Sequence, residues 1–549
     1  MNFPSKVLTC DVLTGLVTKK SSNMFTRHCF RSLFKRGRFF ESRWQNRLST
    51  NLSVIAYVAR IWRPWAAVRI VAALALAIGF TGYELLSDTP AGWGWLLAAA
   101  GAAWSMTGIV WQFLNLHRTH VFGSAASGRH DLSRDFFDHG SPDPVDGRLV
   151  LSEIEGGVSE IHDNGGDVIW GVVEGKRGNR NGYVFDNDVA RALAAGGIAI
   201  LPSPDGDQRT ERDLMRRMSG LVRDFQAEGL GIRRRNSIRG GRSFFDAPKI
   251  RLSALRWDQK TGLSARIGRT SYFTSCLTND LAAQQIKHGD RVIADRSEDM
   301  YPVSRPAGPG AALLLKRLAD CPTMSNHVGS VVLALSREGY PVLSTQGGAA
   351  EVNKGKAVLS GSGSIDWADM DHSGARRDGR LDRAILYGMA RELLEETRLI
   401  PQDSLRECDY ALIRQQAAAL RLAGLYRDLR RGGLPIFVGF GRIDQRMDRI
   451  LEARPLHPDN CPFSSPAETR LLTDLPQAVI SDAGQMIAYL ERHLTDTARV
   501  QRDPSDQILI LLQLLERSQV LRDHFDRAIT AAPASADPAP GPARSLSRR

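Results

Sequence analysis

The sequence predicts a mixed chain, α+β or α/β in class, set behind an N-terminal two-helix transmembrane hairpin. Three observations carry this expectation. Two long apolar runs lie within residues 61–117. From residue 168 onward, short β-branched runs alternate with stretches of helical period. Late in the chain, residues 391–400 read as a helix crowded with glutamates.

Between Ile70 and Ser87 the only charged residue is Glu84, and between Ala91 and Leu116 there is none. At about 1.5 Å per residue, runs of roughly 18 and 26 residues reach across a hydrocarbon core about 30 Å thick. Ser87-Asp88-Thr89-Pro90 supplies the turn. Arg60, Arg63 and Arg69 flank one side, and His117, Arg118 and His120 the other, so the positive-inside rule places both termini in the cytoplasm. Ala98, Gly101, Ala102, Ser105 and Gly108 recur at three- and four-residue spacing, small side chains that let membrane helices pack closely, within one hairpin or between chains. The competing reading, a water-soluble core hairpin, sits badly with the uninterrupted second run.

The chain has 549 residues and a formal net charge of +12. Residues 1–69 hold 13 Lys/Arg against only Asp11 and Glu41, so the remainder is nearly neutral and no DNA partner is expected. Residues 1–60 form a basic arm whose 24–47 segment reads as an organellar presequence or, in preference, as an amphipathic membrane-surface arm, and Met24 is a second candidate start. Cys10, Cys29, Cys276, Cys321, Cys408 and Cys461 form no CxxC pair, which argues against a disulfide framework and a zinc ribbon. The sequence has no HExxH and no P-loop.

Residues 118–244 are expected as a small α/β module with an arginine-rich linker. Val168–Val173 and Ile198–Pro202 read as strands, and Asn187–Leu193 and Thr210–Glu228 as helices. The arginines between 233 and 242 suit either a solvated linker or a phosphate patch. A larger domain follows at 245–525. It starts with β structure around Ile250–Ala254 and Leu263–Tyr272, and continues with a hairpin of Val328–Ser336 and Pro341–Thr345. Lys356–Ser360 then leads into Gly361-Ser-Gly363-Ser364 and the glutamate helix. Gly432–Phe440 reads as a strand, and helices at Ser481–Leu494 and Gln507–Leu521 close the domain. Residues 526–549 are expected as a disordered tail, rich from 531 in Ala, Pro, Ser and Arg.

On a helix, Glu392, Glu395 and Glu396 stand at i, i+3 and i+4, three carboxylates on one face suited to a hard divalent cation beside a pyrophosphate. The plainer reading pairs Arg391 with Glu395 on a solvated helix. Gly361 and Gly363 permit close approach of a ligand, or make an ordinary turn. Asp366 and Asp369 serve a metal or cap the next segment.

This order of hairpin, glycine loop and glutamate helix resembles the Nudix superfamily, whose signature contains Arg-Glu-(aliphatic)-x-Glu-Glu-x-Gly-(aliphatic). Arg391, Glu392, Leu393, Glu395, Glu396 and Leu399 fit it. Arg398 stands at its glycine, Arg383 at a further glutamate and Arg377 at a further glycine. The resemblance implies a Nudix-like α/β/α sandwich for residues 245–525. It makes Glu392, Glu395 and Glu396 the metal-side and, in an active enzyme, catalytic carboxylates, with Mg²⁺ as cofactor. Arg391, Gly361 and Gly363 would meet the ligand, and Asp382 or Asp378 would replace the missing acid. The departures favour binding over turnover.

A membrane hairpin joined to such a domain is similar to the transmembrane-Nudix effectors of bacterial cyclic-oligonucleotide antiphage systems (CBASS). That resemblance implies a cyclic oligonucleotide ligand and a cyclic-oligonucleotide synthase as functional partner. Ligand-driven homo-oligomerisation would then disrupt the bacterial inner membrane and cause abortive infection. The enzyme alternative is a membrane-anchored, Mg-dependent hydrolase of nucleoside diphosphate derivatives. A third reading makes the hairpin a passive anchor for a scaffold domain.

Overall fold

Gly-Ser-Val-Val-Leu-Ala-Leu at 329–335 is apolar along nearly its whole length, the pattern of a strand covered on both faces, and each of its residues is buried. Its surroundings come from a computed structural model that describes residues 167–174, 180–202, 246–282, 285–288, 291–295, 302–304, 314–346, 356–401, 405–452, 469–471, 477–495 and 503–530.

In chain order the strands are β1 (Val168–Glu174), β2 (Arg180–Asp186), β3 (Ile198–Ile200), β4 (Pro248–Asp258), β5 (Gly262–Ser271), β6 (Gln285–His288), β7 (Arg291–Asp295) and β8 (Val303–Ser304). They continue with β9 (Leu314–Leu315), β10 (Gly329–Leu335), β11 (Pro341–Gln346), β12 (Ala357–Leu359), β13 (Gly363–Ser364), β14 (Leu420–Asp428), β15 (Leu434–Arg442) and β16 (Thr469–Leu471). The helices are α1 (Asn187–Ala195), α2 (Tyr272–Leu277), α3 (Asp369–His372), α4 (Ala375–Asp378) and α5 (Leu381–Glu396), then α6 (Glu407–Ala419), α7 (Met447–Glu452), α8 (Ala483–Leu490), α9 (Asp506–Arg517) and α10 (Gln519–Thr530).

The main sheet has nine strands and runs β1-β2-β14-β15-β10-β11-β12, with β13 also on β10 and β16 also on β11. The β10–β15 pair is parallel and its other pairs are antiparallel. Alternation along β10 sends Val331, Leu333 and Leu335 to one face, against α9 and α10 through Leu511, Leu515 and Phe525. Val332 and Ala334 go to the other face, against Ile385, Met389 and Leu393 of α5. Helices therefore cover both faces. On the first face, Phe440 of β15 meets Phe525 edge-on at 5.2 Å. A separate sheet, β3-β5-β4, packs its Ile250, Leu252, Leu263 and Ala265 into the α5 side.

These findings correct the expected fold. Among the described residues no helix is long and apolar enough to cross a membrane. The anticipated hairpin at 61–117, with Ala98, Gly101, Ala102, Ser105 and Gly108, lies outside the described residues, as do the 1–60 arm, the Thr210–Glu228 helix, the arginine-rich segment and residues 531–549. Nor do β1 and β2 belong to a separate module ahead of a sandwich. They extend the main sheet, with Phe185 of β2 opposite Tyr426 of β14. Two strands alone bury too little to stand by themselves. Here the ring of Phe185 lies over Gly424, where a Cβ would fall 2.5 Å from it, so β14 supplies the surface that the hairpin lacks. The sequence boundary at 525 falls inside α10, whose Phe525, Ala528 and Ile529 are buried.

Candidate functional site

Helix α5 buries Leu381, Ala384, Ile385, Gly388, Met389 and Leu393, an apolar stripe at helical spacing, and this fixes which side of its last turns faces outward. Arg391, Glu392, Glu395 and Glu396 occupy that side. At the helix end, Arg398 adopts a left-handed φ of +61°. Its N–H donates to Glu395 O (3.1 Å) and that of Leu399 to Leu394 O (2.9 Å), a Schellman closure. Arginine thus takes the backbone conformation that glycine adopts at least cost, at the position where the expected signature carries glycine.

The Arg391 guanidinium stands at the centre of four carboxylates. Its Nε and Nη2 donate to the two oxygens of Asp369, both at 3.2 Å. Nη1 lies 3.0 Å from Glu392 and 3.3 Å from Glu395, and Nη2 lies 3.4 Å from Asp366. Asp366 also holds Lys249 Nζ, brought in by β4. Glu396 stands apart from the arginine and accepts the amides of Gly361 (2.7 Å) and Ser362. The Arg391–Glu395 pair of the plainer reading is present, but in a largely buried cluster and not on a solvated helix.

The glycine loop is shaped around these acids. Gly361 has φ +90°, and a Cβ there would come within 3.1 Å of Leu393 and Val332. At Gly363 a Cβ would fall 2.5 Å from the Glu392 carboxyl carbon, so only a bare backbone lets Glu392 lie against β13. Gly388 does the same for Asp369, whose Oδ2 would be 2.9 Å from an added Cβ. Asp369 itself is 2 % exposed, whereas Asp366 and Glu392 are 25 % and 19 % exposed, so the cluster opens to solvent on the Asp366–Glu392 side.

Five acids here face two cations, Arg391 and Lys249. Burial is the first cause that pushes the carboxyls of Asp369, Glu392, Glu395 and Glu396 upward, and the neighbouring acids add to it. Arg391 opposes the shift in Asp369, Glu392 and Glu395, and the Gly361 amide opposes it in Glu396. Glu395 is pushed up to about 8. Near neutral pH the cluster therefore retains protons, because like charges this close do not all ionise.

Neither candidate for the missing acid joins this group. Asp382 accepts the Ile198 amide (2.8 Å) and pairs with Arg380 (2.9 Å). Asp378 is held by Arg377 and Arg383. The additional carboxylates are Asp366 and Asp369; Asp369 accepts the Asp366 amide (2.8 Å) in its own turn and grips Arg391, and it meets no metal group among the described residues. Lys249 had no local signal, since 117 residues separate it from Asp366.

Hard carboxylate oxygens are the donors that Mg²⁺ prefers. The geometry is not preassembled for it. Among the described residues no group of three or more His, Cys, Asp or Glu is placed to hold a metal ion, and here the carboxylates converge on the guanidinium. Accommodating the cation requires Glu392 or Glu395 to turn from Arg391 toward Glu396. Beside the cluster lies His327, buried, its pKa lowered to about 3 first by desolvation and then by Arg431 and Lys249, so it is a neutral imidazole. No family model matches the chain, and no curated protein matches it.

Proposed function

We propose that this cluster is the ligand site of a divergent Nudix-type domain that binds Mg²⁺ and, through it, the phosphates of a nucleotide-derived messenger. In this reading the chain is a CBASS-type membrane effector that senses a cyclic oligonucleotide and acts on the bacterial inner membrane. The membrane part rests on the apolar sequence between Ile70 and Leu116 alone. The observation that carries the ligand part is the imbalance of five acids against two cations, with Glu395 pushed up to about 8. An anionic ligand is repelled by such a cluster unless a divalent cation is bound with it. Mg²⁺ would supply that neutralisation, held by Glu396 together with Glu392 or Glu395.

The chain's own groups then have defined tasks. The Gly361 and Ser362 amides orient Glu396. Asp369 holds Arg391 by two bonds, and whichever of Glu392 or Glu395 turned to the cation would free one Nη1 N–H for a phosphate oxygen. A messenger switches the protein only by binding one state more tightly than another, and this exchange of partners on Arg391 gives the two states different affinity. The test uses the full chain in dye-loaded liposomes with Mg²⁺ and a panel of cyclic di- and trinucleotides. Leakage with one ligand, lost in Glu396→Gln, is expected; tight vesicles at saturating concentrations of every ligand contradict the proposal.

One observation favours hydrolysis of nucleoside diphosphate derivatives as a second reading: a carboxyl with a pKa of about 8 is matched to general-base work near neutral pH. Phosphate release from a nucleotide library, abolished by Glu395→Gln, would establish it. Absence of turnover in a leakage-competent wild type would leave the sensor.

A further inference from the structure

A cavity of about 780 Å³ opens where the ends of α5, β15 and α10 meet α6 and the start of β14. None of Arg391, Glu392, Glu395 and Glu396 lines it. Its volume falls within the roughly 300–1,000 Å³ of small-molecule sites. Leu399, Leu412, Ile480 and Ile529 give it an apolar wall. Val479, also in the lining, is 57 % exposed, one of two large hydrophobic residues left uncovered among the described residues.

The charge of this cavity is opposite to that of the carboxylate cluster. Arg337, Arg421 and Arg442 line it, and the one acid is Asp444, paired with Arg337 at 3.2 Å. Arg442 is fixed in place because its Nε donates to Ile529 O (2.8 Å) and its Nη1 to Arg337 O (3.0 Å), while Nη2 has no partner among the described residues. Arg421 likewise has no ion pair or side-chain hydrogen bond among the described residues. The Arg421 guanidinium and Nη2 of Arg442, beside the partly exposed Leu399 and Leu412 and the exposed Val479, suit a ligand with an anionic head and an apolar body.

We infer that this cavity binds an organic phosphate, a phosphate monoester carrying an apolar group. The phosphate meets Arg421 and Nη2 of Arg442, and the apolar group lies against Leu399, Leu412 and Val479. The inference stands apart from the messenger reading, because no carboxylate or metal enters it.

The test is calorimetry on the full chain in lipid nanodiscs, with 1-naphthyl phosphate as probe and inorganic phosphate and 1-naphthol as its two halves. The probe is expected to bind about tenfold or more tighter than either half, unchanged by EDTA. Arg421→Gln and Val479→Asp, both at exposed positions that leave the core intact, should each weaken it by about fivefold or more. Adenosine monophosphate displacing the probe at lower concentration than hexyl phosphate assigns a nucleotide source, and the reverse order assigns a lipid-like phosphate. Affinity equal to that of inorganic phosphate, loss of binding in EDTA, or unchanged binding in both variants overturns the inference.

Discussion

The carboxylate cluster and the arginine-rimmed cavity both draw on the C-terminal end of α5, yet their chemistry is opposite. Glu392, Glu395 and Glu396 serve the first, and Leu394 and Leu399 line the second. In the cluster, charges satisfy one another through Arg391, with acids in excess. In the cavity, Arg421 is left without a described partner and the walls are apolar. One helix end thus serves two opposite environments: an ionic cluster in which acids outnumber cations, and an arginine-rimmed cavity with apolar walls.

The burial of the first site should show most strongly when its central cation is removed. Arg391→Ala leaves four carboxylates around a missing cation and should destabilise the protein by about 3–5 kcal/mol in urea unfolding, with partial recovery in Mg²⁺ or at low pH. Probe binding in the cavity should be retained at temperatures where the variant is folded. A loss below about 1 kcal/mol would mean that the cluster is solvated after all.

Next in size is a pH effect of definite sign. The raised Glu395 carboxyl holds a proton in the folded chain that the unfolded chain has released, between the ordinary glutamate value and about 8. Metal-free protein should therefore lose stability, on the order of 2–4 kcal/mol, as pH rises through that window. Glu395→Gln should flatten the slope, as should saturating Mg²⁺. Unfolding midpoints measured from pH 5 to 8.5 check this, and a stability that rises with pH would break the contrast with the cavity.

Smaller effects sharpen it. Gly363→Ala places a methyl group where the Glu392 carboxyl lies, and that flexible side chain can swing away. Stability should fall by less than about 1 kcal/mol, while Mg²⁺ affinity drops roughly three- to tenfold in titration calorimetry. Arg398→Gly relieves the left-handed φ and should raise stability by about 0.5 kcal/mol in thermal unfolding, with cavity binding unchanged.

What the sequence made legible follows from periodicity. The run at 329–335 announces a strand covered on both faces, and the spacing of Glu392, Glu395 and Glu396 places them on one side of α5. Periodicity reports the face a residue occupies, not the partner it meets there. Lys249 reaches Asp366 only because β4 runs past β13, and Asp369 reaches Arg391 only because Gly388 gives it room. Strand β14 has a buried Arg427 and Asp428 at its end, which hid a central strand behind a polar sequence. The joining of β1 and β2 to it depends on the fit of Phe185 over Gly424, which no local pattern encodes.

Protons held by the buried carboxyls, Glu395 foremost, occupy the place proposed for a divalent cation. Titrating the full chain with Mg²⁺ at pH 7, in buffers of different ionisation enthalpy, counts the protons displaced per cation bound. Release of about one proton is expected, reduced in Glu395→Gln. Mg²⁺ binding with no proton release, or no binding at all at pH 8, where these carboxyls are most ionised, would contradict it.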